Sequence, residues 1–118
     1  MRLCVCGGRT FGAAQGERLK VYTTLAEIHA TTPISVLING GATGADEVAR
    51  RWADLNGVEC FTFTANWRVY GRAAGPTRNG RMLNEGKPDL VVAFKGGRGT
   101  ADCVRQARAK GIKVREIA

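Results

Sequence analysis

At 118 residues the chain is long enough for one sheet with helices around it and too short for a separate catalytic domain, so a single domain over residues 1–118 is expected. No apolar run approaches the roughly 18 residues needed to cross a bilayer, and Leu3-Cys4-Val5-Cys6 running straight into glycines lacks a signal-peptide layout; a soluble, intracellular protein is expected, with the cytoplasm as its location. Eighteen Lys and Arg against ten Asp and Glu leave a formal net charge of +8, which favours an anionic partner.

The first expected strand, Leu3–Cys6, leads into Cys6-Gly7-Gly8-Arg9-Thr10. A helix follows over Glu17–His29 with Val21, Leu25 and Ile28 inward; His29, the only histidine, lies far from the glycines and reads as a surface or packing residue. The strand Ile34–Ile38 opens into Asn39-Gly40-Gly41-Ala42-Thr43-Gly44. Ala45, Val48, Ala49, Trp52 and Ala53 then recur at helical spacing up to a stop at Asn56-Gly57.

After the strand Val58–Phe63 the rhythm breaks from Thr64 to Gly86. Thr64 to Arg72 is too polar and irregular for a core element and reads as a binding loop, in which Trp67 and Tyr70 offer flat faces to a base and Arg68 and Arg72 add charge. Pro76 suits the first turn of a short helix presenting Arg78, Asn79 and Met82 on one side. The strand Asp89–Phe94 leads into Lys95-Gly96-Gly97-Arg98-Gly99-Thr100, then a helix over Ala101–Lys110 with Ala101, Val104 and Ala107 inward, and a last strand, Ile112–Ile117.

Alternating strands and helices make an α/β domain: a mainly parallel sheet of about five strands with helices on both faces. Right-handed crossovers bring all strand carboxyl ends to one rim, so the three glycine segments meet there. Glycine lets backbone approach a ligand, and a following helix start offers free N–H groups and a positive dipole end, which is how such a fold holds phosphate. Arg9, Arg78 and Arg98 lie in or beside these segments, where a planar guanidinium clamps phosphate. The four cysteines form no Cys-x-x-Cys pair and read as reduced, packed thiols; no metal and no cofactor is expected. Neither common phosphate motif fits, since a Gly-Lys-Ser/Thr run is absent and Asp102 stands where a dinucleotide fingerprint needs its third glycine.

The ordered set Cys6-Gly7-Gly8-Arg9-Thr10-Phe11, Gly40-Gly41-Ala42-Thr43-Gly44-Ala45-Asp46, Ala65-Asn66-Trp67, Tyr70-Gly71, Ala74-Gly75-Pro76-Thr77-Arg78-Asn79, Met82 and Phe94 to Asp102 resembles the SLOG superfamily of Rossmann-like nucleotide-sensing domains, and within it the small stand-alone YspA-like branch. The resemblance implies a pocket for nucleotide-derived signals, ADP-ribose-like molecules among them, on Gly7, Gly8, Arg9, Gly40, Gly41, Ala42, Gly44, Asp46, Trp67, Arg78, Asn79, Gly96, Gly97, Arg98, Gly99 and Thr100. It also implies homo-oligomers, with Met82 and Leu83 covering a partner's pocket edge. The related Lonely Guy enzymes cleave nucleoside monophosphates at the N-glycosidic bond through an Arg-Lys-x-x-Met helix and a Gly-Gly-x-Gly-Thr-x-x-Glu turn. Arg78, Asn79 and Met82 resemble the first with Asn in place of Lys; Gly96, Gly97, Gly99 and Thr100 resemble the second, with Cys103 at the Glu position.

A thiol at ordinary pKa does not replace a carboxylate that handles protons, so the expectation is a binder that senses or sequesters its ligand, in the manner of an immune-signal sponge. The alternatives are an N-glycosidase or phosphoribohydrolase using Arg78 with Asp46 or Asp102, and nucleic-acid binding, which is not the expected partner.

Overall fold

In the computed structural model, which describes residues 1–118, the chain runs β1 (Arg2–Cys6), α1 (Gln15–Thr31), β2 (Val36–Asn39), α2 (Ala45–Leu55), β3 (Glu59–Thr62), α3 (Trp67–Tyr70), α4 (Ala74–Gly86), β4 (Leu90–Ala93), α5 (Arg98–Ala109) and β5 (Lys113–Glu116), with one 3₁₀ turn at Gly71–Ala73. The five strands form one parallel sheet in the order β3-β2-β1-β4-β5. Every expected strand is present. Strand order reverses at β1, which places a crevice beyond the carboxyl ends of β1, β2 and β4.

The alternation of β1 decides which helices cover which face. Leu3 and Val5 join Leu37, Val92 and the inward residues of α1 and α2 in one core, while Cys4 and Cys6 join Ile38, Val91, Met82, Leu83, Cys103, Val104 and Ala107 under α4 and α5 in the other. The register Leu3 opposite Leu37 and Leu90, and Cys4 opposite Ile38 and Val91, keeps those rows in step; a one-residue slip would exchange them. His29 packs edge-on to Trp52 at 5.5 Å, and its Nδ1 accepts a hydrogen bond from the Ile34 amide, so it is a packing residue. The edge strands β3 and β5 are four residues each and carry Glu59, Lys113, Arg115 and Glu116, which blunts edge pairing.

Three expectations change. The segment expected as a loop is largely helical: α3 is capped by the Asn66 side chain, which accepts from the Val69 amide, and α4 begins at Ala74 so that Pro76 sits within its first turn. Next, α5 begins at Arg98 rather than Ala101. Tertiary docking outweighs the low helix propensity of Gly99, and Ala101 is exposed while Cys103, Val104 and Ala107 face inward. Finally, Met82 and Leu83 are 2% and 3% exposed inside their own core, so they do not face a partner.

Candidate functional site

The loop after β1 is held from two sides. The Gly8 amide donates to the Lys95 carbonyl (2.9 Å) and the Gly8 carbonyl accepts from the Ala45 amide (3.1 Å), while Phe11 stacks on Phe94 with ring centroids 5.6 Å apart. Between this loop, those after β2 and β4, and α4 lies a cavity of about 370 Å³. Val5, Cys6, Gly7 and Gly8 line it from β1 and its exit, and Gly40, Ala42 and Asp46 from the β2 side. Gly75, Arg78, Asn79 and Met82 belong to α4, while Gly97, Gly99 and Thr100 stand at the start of α5. Arg9, Trp67 and Arg98 complete the wall and are solvent-exposed, placing them at the opening.

The remaining expected residues stand just outside. Gly41 lines an adjoining cavity of about 260 Å³, which shares Arg9, Gly40, Ala42, Trp67 and Arg78 with the first. Gly96 and Gly44 shape the loops: a Cβ on Gly96 would lie 2.1 Å from Thr100 Oγ1, and one on Gly44 would lie 2.2 Å from the Gly8 carbonyl oxygen. Of the residues expected in a binding loop, Trp67 reaches the cavity and Arg68, Tyr70 and Arg72 do not. Sequence reasoning missed Val5, Cys6 and Gly75; the adjacency of Cys6 to the first glycine pair was the available signal.

The site suits an anion. Gly97 caps α5 without a side-chain hydrogen bond, and the amides of Arg98, Gly99 and Thr100 donate to no group in the protein. These free N–H groups and the helix dipole form an anion-binding end. Three guanidinium groups, Arg9, Arg78 and Arg98, border the cavity against one carboxylate, Asp46.

Arg78 is positioned twice: Nη1 donates to the Gly40 carbonyl (2.5 Å) and Nε to Asn79 Oδ1 (3.0 Å). Gly40 makes this possible, because a Cβ there would lie 2.3 Å from Arg78 Nη1. Asn79 is 2% exposed and its Nδ2 donates to the Gly99 carbonyl (3.2 Å) and to Asp102 Oδ2 (3.0 Å). It therefore ties α4 to the first turn of α5. Asp102 does not line the cavity. Gln106 (2.8 Å) and Arg105 also donate to it, which makes it an anchor between α4 and α5.

Cys103 likewise lies behind the wall, 1% exposed. Its expected ordinary pKa is also corrected. Hydrogen bonds from the Cys4 and Cys6 thiols favour its thiolate and draw its pKa down against burial, with the nearby Arg78 charge assisting; the Cys4 and Cys6 values rise in return. Lying off the cavity wall, the Cys103 side chain does not reach into the cavity. No group of three His, Cys, Asp or Glu side chains is arranged to hold a metal ion.

Asp46, 6% exposed, accepts from the amides of Gly40 (2.9 Å) and Ala42 (3.4 Å) through Oδ2 and so sets the turn after β2. Burial raises its pKa to about 6, outweighing those hydrogen bonds and the attraction of Arg78 and Arg50. Because the folded chain holds this proton more tightly than the unfolded one, the associated stability is complete below the ordinary value of 3.8 and is lost as pH rises through about 6. At 1.36 kcal/mol per unit, the expected loss is about 3 kcal/mol. Urea denaturation of the native protein and Asp46→Asn across this range should show a stability difference that changes by about that amount; a constant difference would refute the buried, titrating carboxyl.

Residues 1–70 match the YAcAr family, described as the YspA, cpYpsA-related SLOG family. The Gene 61 protein of Mycobacterium phage D29 is 37% identical over 121 residues, a match covering 96% of this chain and 93% of that protein. Two crystal structures share the fold. TM1055 superposes with a TM-score of 0.74 at 20% identity, covering 97% of this chain and 72% of its own. DNA processing protein A from Streptococcus pneumoniae superposes with a TM-score of 0.76 at 19% identity, covering 99% of this chain and 50% of its own.

Proposed function

Since this chain belongs to the YspA, cpYpsA-related SLOG family, we propose that it is a cytosolic nucleotide-binding domain that senses or sequesters a phosphorylated, nucleoside-derived small molecule without consuming it. The observation that carries this reading is the convergence of unpaired α5 amides and three arginines on one cavity at the strand-order reversal. The free amides and Arg98 take the phosphate, Arg78 and Asn79 stand beside the ribose, and Asp46 Oδ1, which receives no hydrogen bond from the protein, accepts from a ribose hydroxyl. Turnover is disfavoured because Cys103 and Asp102 lie off the cavity wall. A relative at 37% identity is a phage protein, which supports the sequestering form: a phage gains by holding a host signal out of circulation.

One observation favours a second reading, hydrolysis at the N-glycosidic bond. Asp46 is a cavity carboxyl with its pKa raised to about 6, suited to moving a proton near neutral pH. Calorimetry against AMP, ADP-ribose, NAD and cyclic nucleotides should find a ligand; silence across the panel in ligand-free protein would defeat both readings. Cys103→Ala is expected to leave that affinity unchanged.

A further inference from the structure

After β3 the Phe63 amide still bonds to the Asn39 carbonyl (2.9 Å), and Ala74 is 1% exposed in the core, but from Thr64 to Ala73 the chain buries no side chain. The hydrogen bonds of this stretch are local. Asn66 accepts from the Val69 amide through its side chain and carbonyl, its carbonyl also accepts from the Tyr70 amide, and the Trp67 carbonyl accepts from the Gly71 amide. Among the side chains only Asn66 makes a hydrogen bond, and Trp67 meets the β1 loop through the Arg9 guanidinium, 5.7 Å from its ring centroid. A segment with local bonds and no share in the core opens at low cost. Gly71, at φ 53° and ψ −127° with open space around it, ends α3 in a conformation that only glycine adopts readily and supplies the swivel.

Two properties of this segment give it something to gain by moving. Trp67, Val69 and Tyr70 are 50%, 68% and 51% exposed, half of the six large apolar side chains that the chain leaves in solvent, and such a cluster is stabilised by being covered. Arg68 and Arg72 carry positive charge with no partner and line neither cavity. Closure over the opening would set them beside Arg9, Arg78 and Arg98, with Asp46 the one carboxylate among them. Five guanidinium groups so gathered repel one another unless an anion lies between them, and an anion turns that repulsion into attraction. We propose that residues 64–73 form a lid, hinged at Gly71, that closes over the cavity when an anion is bound there and brings Arg68 and Arg72 to its opening. The lid rests on the anion site proposed above.

Hydrogen exchange read by mass spectrometry, with and without saturating AMP, tests the lid. In the free protein the amides from Val69 to Ala73 should exchange faster than those in the middle of α1, and AMP should slow them by about tenfold or more. None of these five residues lines either cavity, so slowing there reports closure rather than contact with AMP. The double variant Arg68→Ala/Arg72→Ala removes no hydrogen bond and should stay folded. It should bind AMP roughly three- to tenfold more weakly and lose most of the slowing, whereas Arg68→Lys/Arg72→Lys should keep both, because closure draws on charge. If AMP binds while exchange from Val69 to Ala73 stays unchanged, or if the double alanine variant matches the native protein in both readouts, the lid is overturned and the anion site stands. Failure of AMP to bind would overturn the anion site, and the lid with it.

Discussion

Gly44→Ala is expected to destabilise the fold by roughly 3–5 kcal/mol. Gly44 has φ 77° and ψ −130°, a conformation essentially reserved to glycine, and a Cβ there would lie 2.2 Å from the Gly8 carbonyl oxygen and 2.4 Å from the Arg9 backbone. Those atoms belong to the loop that positions Arg9, and the Ala45 amide bonded to the Gly8 carbonyl starts α2. The strain therefore falls on the site and the core together, with no flexible side chain to absorb it. Gly16→Ala is the control. It lies in the first turn of α1 with open space at its Cβ, so that change should be neutral or stabilising by up to about 1 kcal/mol. Urea denaturation decides; a Gly44→Ala loss no larger than that of an ordinary surface substitution would contradict the geometry of this turn.

Arg78→Ala should have the largest effect on binding. Its guanidinium is the one cavity cation held by two protein acceptors, Gly40 and Asn79, so its orientation is settled before a ligand arrives. Loss of a charge-assisted contact of this kind costs about 1.5–3 kcal/mol, or roughly 10- to 150-fold in Kd. Arg78→Lys should recover only part, because an ammonium keeps the charge but not the planar fork. Arg9→Ala and Arg98→Ala should do less, since both side chains are exposed and screened. An unchanged dissociation constant in folded Arg78→Ala protein would remove Arg78 from the site.

The strands were legible because each is a short apolar or β-branched run ended by glycine, proline or asparagine, and parallel connection forces their carboxyl ends to one rim. That rim and most of its lining followed from the glycine loops. The polar stretch around Trp67 misled: the Asn66 side chain caps α3 through the Val69 amide three residues on, a local signal, while the docking of α4 against α5 depends on contacts distant in sequence. The start of α5 moved for the same reason. Neither the burial of Met82 and Leu83 nor the diversion of Asp102 toward Asn79 can be read from spacing, because each depends on how α4 sits against α5. The partnership of Cys103 with Cys4 and Cys6 requires the facing of β1 and α5 across one core, which spacing does not show.

The central claim is binding without consumption, and chromatography of AMP and ADP-ribose after long incubation with stoichiometric protein tests it most directly. The prediction is that each bound molecule is recovered intact on denaturing the protein. Free base released over many turnovers, and abolished by Arg78→Ala, would contradict it and establish the hydrolytic reading.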